Sequence, residues 1–411
     1  MKNTQTIKMK IRFTEIRLIA YLIALYCAFI PLENVLVSSL GGSVNRYLGI
    51  IVMGVTILYQ AQNHKTTMFI GKFGWVALLF CLMIVSSVWG AYDLVTGYYS
   101  VIINMFLFTF IVIQQRLRES EYNFILLCIV LSTVVTAAVM VFGSEYTSVN
   151  EISGGRMTIK IGELVVDNNN LAVSFGIAAL CAFYFLFKRT NKFLKIISGI
   201  LFGFLVFSIL QTGSRGGLMA LFVAIVFFLI AHNRGISIKM ILVAVIVFLL
   251  MLFFVERLLP AELAERFTVD SVVESGGTGR TDIWTDAFLI FKDSSFLRQL
   301  FGYGFGTFPN MMKEECNFYI AAHNDFVQIL LELGMLGVAL HISMWIKLFK
   351  MVIKKNNALL VGLLVIILVG SLSMEMFVKK MLWLVIYLAF ICPDESQLIA
   401  SNNKYLIKHN N

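Results

Sequence analysis

His323 stands in the segment AAHNDFVQILLELGMLG, where a polar stretch gives way to an apolar run. An imidazole titrates near neutrality, so a histidine so placed can take a proton from a hydroxyl. Asp325, Gln328 and Glu332 follow it. Gln328 and Glu332 share a helical face at i, i+4, from which they could orient the imidazole or line a cavity. Taken alone, a histidine at a helix start is more often structural. Arg215 lies in QTGSRGGL, Arg280 in ESGGTGRTDIW and Arg156 in GGRMTIKIGELVVDNNNLA, each beside glycines. A guanidinium presents a rigid fork of donors that suits phosphate. Glycine allows sharp turns and close backbone approach, and a helix N-terminus after Arg280 would add N–H groups facing an anion. The plainer alternatives are a snorkelling interfacial arginine at 215, a surface salt bridge at 280, and a helix cap somewhere in Asp167-Asn168-Asn169-Asn170. Together the set describes an anion site with a base beside it.

Such residues need a scaffold, and the composition defines its solvent. The chain has 411 residues, 59% of them hydrophobic and only 14% charged, where a soluble domain is about half apolar and about a quarter charged. This excludes a soluble globular, disordered or disulfide-rich secreted protein. Unbroken runs such as residues 240–255 lack the alternation of a transmembrane β-barrel. The expected fold is an all-α polytopic membrane protein. At about 20 residues per span, about twelve spans fall near 18–36, 46–61, 73–91, 98–114, 123–142, 169–187, 193–212, 216–232, 238–255, 325–346, 358–373 and 377–392. The chain divides into residues 1–255 with nine spans, a long loop at 256–322, residues 323–392 with three spans, and a polar tail at 393–411, expected to be disordered.

The net charge of +9 is read as the positive-inside bias rather than as a nucleic-acid footprint. Clusters such as Lys188, Arg189, Lys192 and Lys195, or Lys347, Lys350, Lys354 and Lys355, then mark the cytoplasmic side. Both termini fall inside, and Arg156, Arg215, Arg280 and His323 all fall outside. Lys379 and Lys380 break this pattern, beside the weakest span. The long loop contains an expected amphipathic helix over 281–294, with Ile283, Trp284, Ala287, Phe288 and Phe291 on one face and Thr281 or Asp282 as its cap. It would lie on the membrane or close over a cavity. The glycines of FGYGFGTF (301–308) are expected to form a turn, and Gly199 and Gly203 to mark close helix packing. No His/Cys cluster suggests zinc, no DxD pair suggests a magnesium-dependent transferase, and the six cysteines have no metal or disulfide spacing.

These motifs resemble those of the O-antigen polymerase and O-antigen ligase family of bacterial surface-polysaccharide enzymes. QTGSRGGL is similar to its first signature, TGRTDIWTDAF followed by FGYGFGTF to its second, and AAHNDFVQILLELGMLG to its third. GGRMTIKIGELVVDNNNLA is similar to a looser fourth, with Asn168 where that pattern usually has Pro. The resemblance spans residues 154–340. It implies a GT-C-like, all-helical glycosyltransferase in the plasma (inner) membrane, inverting, and using neither metal nor cofactor. Its donor would be an undecaprenyl-diphosphate-linked glycan at the outer leaflet. Carried over, Arg215 and Arg280 would bind the diphosphate, His323 would deprotonate or orient the acceptor hydroxyl, and Arg156 would assist at the donor. Asn169, Asp325, Gln328 and Glu332 complete the expected substrate site. The lipid bilayer, the lipid-linked glycan and a protein that regulates chain length are the implied partners. A polymerase is preferred over a ligase that transfers to lipid A core or protein. A multi-span transporter or flippase is the rival from another class, and a structural membrane scaffold the third.

Overall fold

The computed structural model describes residues 16–40, 44–62, 70–90, 105–143 without 114 and 116, 156–235 without 162, 163, 189 and 190, 259–268 and 280–393, with a few single positions from 242 to 257. Helices dominate. Among the described residues, seven are long and apolar enough to cross a membrane: α1 (Leu18–Leu40), α2 (Val44–Gln62), α4 (Glu119–Gly143), α5 (Asn168–Lys188), α6 (Lys192–Gln211), α7 (Arg215–His232) and α12 (Asp325–Lys354). Three shorter apolar helices join them: α3 (Ile70–Ser86), α13 (Ala358–Ser371) and α14 (Lys380–Ile391). Between α7 and α12 lie α8 (Ala261–Glu265), α9 (Arg280–Asp293), α10 (Phe296–Phe301) and α11 (Phe308–Cys316). The only sheet among the described residues is an antiparallel pair, β1 (Lys160–Ile161) with β2 (Leu164–Val165). The chain is thus an all-α polytopic membrane protein. The expected fourth span is helical over 105–112. The ninth is described only at Leu242, Val245 and Ile246, which are helical, and the polar tail from 394 lies outside the described residues.

Two of the short helices, α13 and α14, are inner helices. At about 1.5 Å per residue, α13 is about 21 Å long, below the roughly 30 Å of a hydrocarbon core. It need not match that thickness, because it is wrapped in protein: Leu363, Leu364, Ile366 and Ile367 are fully buried. The same holds for α14, where Leu382, Val385, Ile386, Leu388 and Ala389 are fully buried. A helix apolar on every side is a core helix. Gly362 marks how closely α13 meets α5 and α7: a Cβ there would lie 2.6 Å from Leu180 Cδ2 and 3.1 Å from the Ala224 carbonyl.

Lys380, which breaks the charge pattern, opens α14 and pairs with Glu33 of α1. The Asn45 side-chain amide of α2 also donates to Glu33 (3.4 Å). An acid from the first helix thus neutralises a lysine from the last, where an isolated charge would be expensive. The expected packing motif in α6 is corrected. Among the described residues, a Cβ at Gly203 would meet nothing within 4 Å, and one at Gly199 would make only ordinary contact with Leu186 (3.4 Å). Spacing alone does not say which face a neighbour occupies.

Helix α12 is broken at Gly334, whose φ of 64° and ψ of −166° are not helical. The chain over 302–308 docks onto this break. Tyr303 N–H donates to the Leu331 carbonyl (3.0 Å) and Gly304 N–H to that of Glu332 (2.8 Å). Backbone irregularity at membrane depth is tolerated where a neighbour satisfies the freed groups. Gly302, Gly304 and Gly306 all have positive φ, as a tight turn requires. At Gly302 a Cβ would lie 2.2 Å from the Glu332 carbonyl oxygen. The other side of the turn is tied to α3, where Phe305 N–H donates to Ser86 Oγ (2.9 Å).

Candidate functional site

Arg215, Arg156 and Asn169 meet at the turn between α6 and α7. Ser214 caps α7, its hydroxyl oxygen accepting from Gly217 N–H (3.2 Å). The Ser214 hydroxyl in turn donates to Asn169 Oδ1 (2.8 Å). Arg156 reaches the same oxygen with one guanidinium nitrogen (3.3 Å) and donates from Nε to the Thr212 carbonyl (2.8 Å). The Asn168 amide donates to that carbonyl too (3.1 Å). Gly213 makes the turn possible: its φ is 64°, and a Cβ there would lie 2.9 Å from Leu263 Cδ1 and 3.0 Å from Arg156 Cγ. Helix capping also operates in the Asn-rich run, through Asp167, whose carboxylate accepts from Asn169 N–H (2.9 Å).

The Leu263 contact brings α8 against this turn, and with it Arg266, a residue the sequence reading did not single out. The arginines crowd one another. Arg156 is pushed down to about 10, first by burial and then by the charge of Arg266, with Arg280 acting the same way and Asp167 opposing. Arg266 is lowered by burial and then by Arg215. Arg280 is lowered by burial, against the attraction of Glu375 and Asp167. Four guanidinium groups therefore share one field, with Asp167 and Glu375 as the acids felt by them. The Arg266 Nε is buried without a hydrogen-bond partner. Such a field favours an anion, and a fork of donors favours a phosphate.

His323 lies across from the arginines, with the connection 372–379 between α13 and α14 joining the two sides. A Cβ at Gly216 of α7 would lie 3.1 Å from Ser373 Oγ of that connection. Glu375, in the same connection, accepts the backbone N–H of His323 and lies 3.6 Å from its Nδ1. The imidazole is 39% exposed, so a substrate can reach it. Asn324 caps α12, accepting from Phe326 N–H (2.9 Å) and Val327 N–H (3.3 Å). The indole of Trp284 in α9 donates to the Ala322 carbonyl (2.8 Å), tying the arginine-bearing helix to the segment that ends in His323.

The amphipathic helix is present as α9, beginning at Arg280 rather than after a cap at Thr281 or Asp282. Ala287 is buried on its packed face, with Ile283 and Phe291 against Phe308, Met311, Met312 and Leu331. Phe288 lies off that face and is 57% exposed.

Of the remaining expected residues, Asp325 and Glu332 bond to the backbone of neighbouring segments. Asp325 is buried and accepts Phe377 N–H (3.0 Å), so it holds the connection that carries Glu375. Glu332 is buried and accepts from Phe308 N–H (3.1 Å) and from the Gln328 amide (3.1 Å). That pair fastens the 302–308 turn to α12. Gln328 and Glu332 are joined as the i, i+4 spacing suggests, but to each other and the turn.

The architecture defines a polytopic membrane protein of helices whose connections bring four arginines together near a histidine. Residues 200–342 match the family model described as O-antigen ligase, so this stretch is similar to the domain of that glycosyltransferase-like family. The match takes in Arg215, Arg266, Arg280, His323, Asp325, Gln328 and Glu332; Arg156, Asn169 and Glu375 lie outside it. No curated protein matches the chain.

Proposed function

We propose that the chain is a surface-polysaccharide polymerase: a metal-independent, inverting glycosyltransferase that moves a glycan from undecaprenyl diphosphate to a hydroxyl of another lipid-linked repeat unit. The site would face the outer side of the plasma membrane, with both termini in the cytoplasm. The observation that carries the proposal is the convergence of Arg156, Arg215, Arg266 and Arg280 opposite a reachable His323. In this reaction the bond between the sugar's anomeric carbon and the phosphate oxygen breaks as the acceptor oxygen attacks from the opposite face. The electron pair leaves with the lipid diphosphate. Fixed guanidinium groups stabilise the charge that grows there, and fixed dipoles or charges are usually the largest single catalytic contribution. The acceptor's proton passes to His323. A ligase is the second reading, favoured by the description of the matched family. It uses the same donor chemistry with lipid A core or protein as acceptor.

Reconstitution separates these. Purified protein in liposomes receives an undecaprenyl-diphosphate-linked repeat unit, with and without lipid A core, and products are resolved on a gel. A ladder from donor alone supports the polymerase. Product that requires the second acceptor supports the ligase. Movement of labelled lipid-linked sugar across the bilayer, with no product, replaces both with a transporter.

A further inference from the structure

The connection 372–379 contains one acid, Glu375. Its side chain is 13% exposed and stands at the imidazole of His323, with one oxygen facing both the backbone N–H and Nδ1 of that residue. His323 has a φ of 50°, a left-handed conformation uncommon for residues with a side chain. A backbone held there needs support, and the Glu375 contact to its N–H supplies some. The acid is itself held. Asp325, two residues beyond His323, accepts Phe377 N–H (3.0 Å), and the Asn324 amide donates to the Leu372 carbonyl (3.4 Å). The two segments are thus fastened reciprocally, and Glu375 cannot drift from His323 without breaking contacts on both sides. Arg280 approaches from α9 and feels the same carboxylate.

We propose that Glu375 is the positioning residue for His323. Its carboxylate fixes the His323 backbone and draws the Nδ1–H toward itself. The Nε2 lone pair is then left pointing at the acceptor hydroxyl, and the imidazolium formed on proton uptake gains a counter-charge. Which nitrogen of a histidine carries the proton is set by the partner of the other one. This inference rests on the proposed role of His323 as the base.

The test compares reconstituted wild type with Glu375→Gln, Glu375→Asp and Glu375→Ala, and with Glu375→Ala combined with His323→Ala. Glutamine keeps the size and an oxygen acceptor for the His323 N–H but loses the charge. The expected result for Glu375→Gln is a fall in kcat of about a hundredfold, the lower end of general-base contributions, with donor KM unchanged. Glu375→Asp should recover at least about tenfold of that loss by restoring the charge. Glu375→Ala should cost nothing further once His323 is alanine, because an effect exerted through a residue vanishes with it. Three outcomes overturn the proposal: unchanged kcat in Glu375→Gln, an equal loss with and without His323, or a rise in donor KM at constant kcat, which would assign Glu375 to Arg280 instead. If wild type itself forms no glycan product, the function proposed above fails; if wild type is active and Glu375→Gln matches it, only the present inference does.

Discussion

Asn169 organises the arginine side of the site with a single oxygen. Its Oδ1 accepts from the Ser214 hydroxyl and from Arg156. Asn169→Ala removes the acceptor of both hydrogen bonds at once, and because the residue is only half-buried, water replaces part of the loss. Donor binding should weaken about tenfold, equivalent to about 1.4 kcal/mol, with thermal unfolding little changed; calorimetry in nanodiscs measures the first. Arg215→Lys keeps the charge and loses the fork. Donor affinity in that variant should fall by about tenfold or more, and wild-type affinity would argue against a two-pronged phosphate contact. His323 was legible because it stands where a polar stretch gives way to an apolar run, and the three arginines because each sits beside glycines. Glu375 and Arg266 were not. Glu375 is 52 positions from the histidine it touches, and no local pattern encodes a contact made by packing. Its one trace was an acid beside Lys379 and Lys380, where the charge rule already failed. Asp325 and Glu332 were noticed for the right reason, as acids entering a membrane helix, yet their oxygens serve Phe377 and Phe308.

At the scale of elements, the 302–308 turn and the break in α12 form one unit. Its dependence on glycine is testable. Gly302→Ala would place a Cβ 2.2 Å from the Glu332 carbonyl oxygen at a φ of 75°. The collision is with backbone, so the turn must leave α12. The expected loss of stability is about 2–4 kcal/mol from strain and displaced packing, read as an earlier unfolding transition in detergent. Glu332→Leu should cost about 1–3 kcal/mol by orphaning the buried Phe308 N–H; stability equal to wild type would show that the turn is held by its backbone bonds alone. The turn itself was legible from its glycine spacing. The break at Gly334 was not, since one glycine inside an apolar stretch fits a continuous helix equally well. The amphipathic helix was visible by its period. The apolar stripe divides: Ala287 is buried against the bundle, while Phe288 stays exposed, as does Leu289 beside it.

For the whole molecule, the ion pair between α1 and α14 closes the bundle across the full length of the chain. Removing one partner of a buried pair leaves a charge without compensation, which costs about 3–5 kcal/mol. Lys380→Met should therefore destabilise strongly, and Glu33→Gln combined with Lys380→Met should regain much of that loss, as followed by thermal unfolding in lipid. Equal stability of the single and double variants would mean that the pair is not energetically coupled. Span positions were legible because apolar length is a strong signal in lipid. Which spans lie at the centre was not, because apolar length does not tell a helix wrapped in protein, such as α13 or α14, from one facing lipid.

Glu375 enters the chain only between the last two helices, after every arginine and the histidine. On the proposed roles, a chain inserted from its N-terminus would complete its arginine cluster before His323 gains its positioning acid. Competence for chemistry would then come only with the last helices, and a half-inserted chain could bind a donor without turning it over.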